Sequence, residues 1–432
     1  METANAEPIE CRLMVIGAGM AGMAAALFAA RRGISTVQAG LTGETLYASG
    51  LFDLYGVSHG DTRKLIDDPW QGLKQLEQNH PEHPLCRVSS HQIRSAIDLL
   101  TDFLGNAGHP YAGYPNKNAR LITPVGTIKR TFRVPETMWA GVQALEEKAP
   151  CLIVDIQGLR GFSATQILST LKPSWPDLKS ASIDLPWENR LGPKYAEHIA
   201  RGLEVEAARR ELADAIRPHL EKVKYVGLPA ILGIHDSEGV RRDLKQMLGR
   251  PVFEIPTMPP AISGIRLKEA FESHLPPLGV KSFYHHTVLS IHRRTNGRFV
   301  LELGRTEPET TVEAENVLLA TGRFLGKGLV AERQGIREAL MDLPVCQPKS
   351  RSCWHRQQFL DPEGHAINLA GLEVDNRFRP INPNGQVVYG NLFAAGSILA
   401  NQDWIRTKSG TGLAVATAYG AIEAMVDGFA DR

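Results

Sequence analysis

Apolar residues open the chain as a short unbroken run, Leu13-Met14-Val15-Ile16, the pattern of a strand buried on both faces. Gly17-Ala18-Gly19-Met20-Ala21-Gly22 follows, then small residues continue as a helix to Arg31 and Arg32, with Gly33 placed to cap its end. Strand character resumes over 34–39 and completes a βαβ unit of about thirty residues. Farther along, Cys151–Ile156 reads as a strand and 163–171 as a helix, while 194–222 sets apolar residues at helical spacing among charges. The runs 225–233 and Val252–Ile255 are strands flanking a charged helix near 240–248. A helix follows over 264–271, and 280–293 with 298–303 suggests paired strands. Two later apolar strands, 317–320 and 391–396, each meet a glycine, and Gly410-Thr411-Gly412 opens a helix to about Val426.

This order predicts an α/β protein with an FAD/NAD(P)-binding-like flavoprotein fold. It has a single N-terminal βαβ phosphate turn and an inserted α/β substrate or cap domain. The expected boundaries are 9–145 for the first part of the flavin-binding domain, 146–262 for the insert and 263–432 for the second part. A chain of 432 residues with 43% hydrophobic and 22% charged positions can bury cores for both. The net charge of +1 supplies no global field for nucleic acid or anionic lipid. The polar, acidic start and the lack of an apolar run near the ~18 residues of a membrane span predict a cytoplasmic protein and leave peripheral membrane association through a partner open. Cys11, Cys86, Cys151, Cys346 and Cys353 show no C-x-x-C pair and no cluster spacing, so no bound metal is expected.

Chemistry enters with Gly17-x-Gly19-x-x-Gly22. Gly17 permits the strand-to-helix turn, Gly19 lets backbone approach a phosphate, and Gly22 lets helix and sheet pack closely. The helix N-terminus adds free N–H groups, so Ala18, Met20 and Ala21 join the glycines as cofactor-binding positions. Dinucleotide folds place Asp or Glu ~20 residues past this turn, at the second strand's end, on the adenosine ribose. Here the region reads Thr36-Val37-Gln38-Ala39-Gly40-Leu41-Thr42-Gly43, and the first acid is Glu44. That points to FMN, with FAD held through Gln38 or Glu44 as the alternative. A single fingerprint and no redox cysteine pair argue against direct reaction with a nicotinamide. Thr321-Gly322 and Gly396-Ser397 end strands where a backbone turns beside a cofactor, Ser397 standing where many flavoproteins carry an acid. The helix opened by Gly410-Thr411-Gly412 is placed to aim its dipole at the flavin pyrimidine. Ser49-Gly50 lies where the chain would pass the isoalloxazine.

Several stretches go beyond any generic flavin fold. They are Ala48-Ser49-Gly50-Leu51-Phe52-Asp53-Leu54, Thr123-Pro124-Val125-Gly126-Thr127, Thr257-Met258-Pro259-Pro260 with Gly264-Ile265-Arg266-Leu267, and Gly328-Leu329-Val330-Ala331-Glu332-Arg333-Gln334-Gly335-Ile336-Arg337-Glu338. In them the chain resembles the B-subunit family of anaerobic glycerol-3-phosphate dehydrogenase over nearly its whole length. The resemblance implies FMN and oxidation of sn-glycerol 3-phosphate to dihydroxyacetone phosphate, with electrons passing to a quinone in anaerobic respiration and glycerol metabolism. It also implies assembly with a larger flavoprotein subunit and an iron–sulfur, membrane-associated subunit on the inner face of the cell membrane. A dianionic substrate needs cations, and Arg266, Arg323 and Arg406 are the candidates. His285, His286, His355 and His365 could titrate near neutrality, but their spacing singles out no catalytic base. Two other readings stand beside this one: a fumarate-reductase-like FAD oxidoreductase, and a non-catalytic assembly or electron-relay subunit.

Overall fold

The structure is a computed structural model that describes residues 7–60, 63–185, 187 and 193–430. Two main sheets are built from β1 (Ile9–Ile16), β2 (Thr36–Gly40), β3 (Cys151–Ile156), β4 (Leu178–Ile183), β5 (Tyr225–Pro229), β6 (Val252–Ile255), β7 (Val280–Tyr284), β8 (Thr287–Arg293), β9 (Phe299–Gly304), β10 (Pro308–Leu319) and β11 (Leu392–Ala394). The helices that matter most are α1 (Met20–Arg31), α2 (Glu136–Glu147), α3 (Ile262–His274) and α4 (Gly410–Ala430). The chain forms two compact units. The first comprises Met1–Glu44, Leu54–Leu100 and Phe271–Arg432; the second comprises Thr45–Asp53 and Thr101–Ala270.

The first unit holds the sheet β7-β2-β1-β10-β9-β8, with β11 beside the C-terminal part of β10. Strands β7, β2, β1, β10 and β11 run parallel, whereas β8, β9 and β10 form an antiparallel meander. The apolar run Leu13 to Ile16 lies between β2 and β10, as a strand covered on both sides must. Helix α1 is buried continuously from Ala21 to Ala29, which explains why it is alanine-rich instead of amphipathic. It packs against α4, where the Phe28 and Tyr419 rings meet edge to face with centroids 5.3 Å apart. Gly33 ends α1 in the left-handed region, φ +67°, as its position predicted.

The second unit is a four-stranded parallel sheet, β6-β5-β3-β4. Its core includes all of β3 except Asp155. The unit is larger than the 146–262 expected for the insert. Helix α2 lies on β6, and a Cβ at Gly141 would stand 2.4 Å from the Phe253 ring, so α2 and the residues leading to it belong to this core.

The expected α/β class, with one N-terminal βαβ turn, is what the chain adopts. Two local expectations change. The run 280–293 is not one strand: β7 pairs in parallel with β2, His285 breaks the run at φ +67°, and only β8 pairs antiparallel with β9. Strand β4 escaped the hydrophobic pattern because it is an edge strand with Lys179, Ser180 and Ser182 on its length. Among the described residues, no helix is long and apolar enough to cross a membrane.

Candidate flavin crevice and its neighbouring cavity

The phosphate turn is held by backbone packed on backbone. Gly17 sits at φ +124°, and a Cβ on it would stand 2.2 Å from the carbonyl oxygen of Ala320 at the end of β10. A Cβ at Gly22 would lie 2.1 Å from the Gly17 carbonyl oxygen, so helix and turn meet at a distance only glycine allows. The Gly17 amide donates to Ala39 O at 2.7 Å, and Gln38 Nε2 donates to Gly17 O at 3.0 Å. Gln38 is fully buried under the turn, where its Nε2 braces the loop and its Oε1 has no hydrogen-bond partner among the described residues. The Glu44 side chain lies outside the described residues.

Helix α1 starts at Gly19 with extended backbone, no capping side chain and no acid in its first turn. Its first amides, at Met20, Ala21 and Gly22, are therefore available for an anion. The later glycines converge on the same place. A Cβ at Gly396 (φ +79°) would lie 2.6 Å from Ala21 Cβ, and one at Gly322 (φ +69°) would lie 3.6 Å from Ser397 Oγ. Thr321 Oγ1 is buried there without a hydrogen-bond partner among the described residues. The Gly396 amide donates to Thr417 Oγ1 of α4 at 2.8 Å, which ties the helix opened by Gly410-Thr411-Gly412 to the crevice wall. Uncapped amides, an orphaned hydroxyl and backbone cradles closed by glycine are the features a flavin's phosphate and ribityl chain require. Ser49 and Gly50 lie in the second unit, where Gly50 (φ +75°) packs against Ser263 and its carbonyl accepts from Tyr111 Oη at 2.7 Å.

The three arginines fare differently. Arg266 is 4% exposed in the second unit: Nη1 and Nη2 hold Glu254 at 2.7 and 2.8 Å, while Nε and Nη2 donate to Gly233 O. Burial alone would raise the Glu254 pKa. The Arg266 charge outweighs it, together with hydrogen bonds from Arg266, Thr137 and the Leu232 amide, and holds the carboxyl below its usual range. Arg266 is thus one half of a closed internal ion pair, and the expectation that it binds substrate phosphate is corrected. Arg323 is half-buried and its Nη1 donates to Asn368 O. Asn368 Nδ2 in turn donates to Asp403 Oδ2 at 3.0 Å.

Arg406 borders a cavity of about 280 Å³ in the first unit, with His59, Arg63, Arg356, Cys353 and Asp403. Its Nη1 and Nη2 donate to the carbonyls of Asp361 and Pro362, and Nε stands 3.9 Å from Asp403 Oδ2. Of the four histidines weighed from sequence, only His365 lines this cavity. His286 pairs with Glu309 at 3.0 Å, and His355 rests against the His365 ring at 5.3 Å. His59 was not among them. It reaches the cavity because the amides of Gly56 and Val57 both donate to Thr407 O at 3.0 Å, laying 56–59 along the segment that carries Arg406. No local spacing announces that contact. Burial, reinforced by His80, pushes the His59 pKa down.

Comparison with known proteins agrees with this geometry. The family model for the FAD binding domain matches residues 12–413. A Vibrio vulnificus protein named as the B-subunit of anaerobic glycerol-3-phosphate dehydrogenase is 30% identical over 422 residues, covering 95% of each chain. A Halobacterium salinarum protein named as the probable B-subunit of the same dehydrogenase is 28% identical, covering 98% of this chain and 100% of that one. Among solved structures, a 3-ketosteroid Δ1-dehydrogenase from Sterolibacterium denitrificans overlaps loosely, with a TM-score of 0.41, 11% identity, and coverage of 97% of this chain and 100% of that one. The chain is a flavoprotein oxidoreductase, and it belongs to the B-subunit family of anaerobic glycerol-3-phosphate dehydrogenase.

Proposed function

We propose that this chain oxidises sn-glycerol 3-phosphate to dihydroxyacetone phosphate with FMN as its resident flavin. Its electrons leave for a quinone through partner subunits. The partners are a larger flavoprotein and an iron–sulfur subunit that holds the complex at the inner face of the cell membrane. Relatives that share the name over 95% or more of the chain support the substrate and the assembly.

The observation that carries the choice of FMN is Gly40. It is the last residue of β2, where an adenosine-binding fold keeps its ribose acid. A Cβ there would stand 2.5 Å from Ala18 N and 2.8 Å from Gly17 C. No carboxylate can be built at that position without displacing the phosphate turn itself. A crevice with a phosphate turn and no acid at the end of β2 suits a mononucleotide, and the Gln38 amide nitrogen is engaged by the Gly17 carbonyl.

Bound flavin would supply an acceptor for the hydrogen and electron pair of the alcohol carbon. The chain's own contribution is to fix the phosphate end of the cofactor with α1 amides and to place a polar cavity in the same unit. Two measurements test the reading. Flavin released by denaturation should elute as FMN on chromatography, and FAD would refute that part. Anaerobic addition of glycerol 3-phosphate to the purified chain should bleach the flavin's visible absorbance. A spectrum that stays oxidised would show that this chain is not the site of alcohol oxidation.

A further inference from the structure

We infer that the cavity bordered by His59, Arg63 and Arg406 seats the phosphorylated alcohol, with the two arginines holding its phosphate and His59 accepting the hydroxyl proton. The inference rests on the dehydrogenase reading above and adds to it a place and a base. At about 280 Å³ the cavity falls just below the roughly 300–1,000 Å³ of pockets for drug-sized ligands, which suits a three-carbon phosphoester.

The cations around it are not equally committed. Arg356 is neutralised by Glu363 and lies 3.8 Å from Asp361. Arg406 faces Asp403 only at 3.9 Å, and its guanidinium is fixed in place by the carbonyls of Asp361 and Pro362. Each of its Nη atoms keeps a second N–H for an anion. Arg63, exposed at the rim, has no acidic partner among the described residues. A fixed fork beside an unpaired one is a clamp for a phosphate dianion.

His59 has the surroundings of a proton acceptor. Its backbone amide is fixed by Tyr55 Oη at 2.8 Å. Its ring meets His80 at 4.3 Å and His83 at 5.9 Å, and the charged groups acting on it are His80, Asp403, Glu82 and Arg406. His83 is fully buried, and desolvation pushes its pKa down to about 3, so that ring is uncharged at neutral pH. Desolvation first, with the neighbouring His80, lowers the His59 pKa, while Asp403 favours the imidazolium once a proton arrives. The cavity's other histidine is already committed: His365 Nδ1 accepts from the Arg356 amide at 3.1 Å and Nε2 donates to Phe359 O at 3.0 Å. In the step, the hydroxyl proton goes to the His59 imidazole. Bound flavin would supply the acceptor for the carbinol hydrogen and its electron pair, so that C–O becomes C=O with the phosphate ester intact. His59 then returns its proton to solvent.

The exposed Cys353, in the same cavity, provides a readout independent of turnover. Hydrogen bonds from Ser350 and Ser352 pull its thiol pKa down, which together with its exposure favours alkylation by iodoacetamide. In the FMN-loaded full chain, glycerol 3-phosphate and inorganic phosphate should each slow Cys353 alkylation, read by peptide mass spectrometry. Arg63→Gln and Arg406→Gln should remove that protection. His59→Gln should keep it while slowing anaerobic flavin reduction by roughly 10²–10⁴-fold. If glycerol 3-phosphate bleaches the wild-type flavin yet leaves Cys353 unprotected, the cavity assignment is wrong although the dehydrogenase reading stands. If His59→Gln and His59→Asn both reduce within a few-fold of wild type, the base is wrong. A wild-type flavin that stays oxidised overturns the dehydrogenase reading itself, and His59's role with it.

Discussion

Neutralising Glu254 by Glu254→Gln isolates what the buried ion pair does for the second unit. Glu254 is 0% exposed, and each of its oxygens accepts two hydrogen bonds: Oε1 from the Leu232 amide and Arg266 Nη2, Oε2 from Thr137 Oγ1 and Arg266 Nη1. Glutamine keeps an acceptor for Leu232 and offers Thr137 a donor, but it turns an N–H toward a buried guanidinium and removes that cation's counter-charge. Breaking a buried pair in this way costs about 3–5 kcal/mol. At 1.36 kcal/mol per decade, that is roughly 10²–10⁴-fold faster exchange of the most protected amides. Ile153 and Val226, buried in the middle of the sheet, are the amides to follow by hydrogen exchange. Adding Arg266→Met removes the stranded charge and leaves Gly233 O short of donors, a smaller cost of about 1–3 kcal/mol. The double variant should therefore be more stable than Glu254→Gln alone. A single-variant cost below about 1 kcal/mol, or simple additivity of the two, would refute the reasoning. Were Arg266 instead a substrate ligand, Arg266→Met would raise KM for glycerol 3-phosphate and leave those amides protected.

Three further outcomes are expected. Gly40→Ala puts a methyl 2.5 Å from Ala18 N and should yield protein that purifies without flavin colour. Gly33→Ala, left-handed but with nothing within 4 Å of the new Cβ, should cost only roughly 1–2 kcal/mol and keep the colour. Thr417→Val leaves the Gly396 amide without its acceptor and should lower stability by about 1–3 kcal/mol, seen as a lower Tm. His83 is buried neutral, its pKa pushed by desolvation from 6.5 to about 3, so the folded state binds fewer protons than the unfolded chain between those values. Stability from this group is complete above pH 6.5 and is lost as pH falls toward 3, about 2 kcal/mol of it between pH 7 and pH 5. Urea midpoints at those two pH values should converge for His83→Gln. An equal fall in both proteins would locate the acid sensitivity elsewhere.

The fold was most legible where one strong local constraint acts. Gly17 and Gly22 announce a turn that only glycine can make, and Cys151–Ile156 is apolar enough to be a strand whatever surrounds it. The late strands, each meeting a glycine, lie side by side as β10 and β11, with Gly322 and Gly396 brought to one crevice. Legibility failed where a distant partner decides. Nothing within 280–293 says that one half joins β2 and the other β9. Arg266 reads like a phosphate ligand until Glu254, twelve residues earlier and on a strand, takes its charge. His59 acquires a role only because Thr407 receives the amides beside it, a contact about 350 residues away in sequence. Packing periodicity reports burial well, but it carries no information about which charge meets which.

The absence of a side chain at the end of β2 goes with the spacing of strand and turn. The turn is drawn onto β2 by the Gly17 amide bond to Ala39 O at 2.7 Å and by Gln38 Nε2 on the Gly17 carbonyl. It is pressed from the far side by Ala320 of β10, 2.2 Å from where a Gly17 Cβ would be. A side chain at Gly40 needs about 1 Å more clearance from Ala18 N than the 2.5 Å available, since ordinary contact begins at 3.4 Å. Opening that gap would stretch both hydrogen bonds to the turn and loosen the amides that face the phosphate. A side chain at position 40 and the present seating of the turn therefore compete for the same ångström of backbone, and in this chain the turn has taken it.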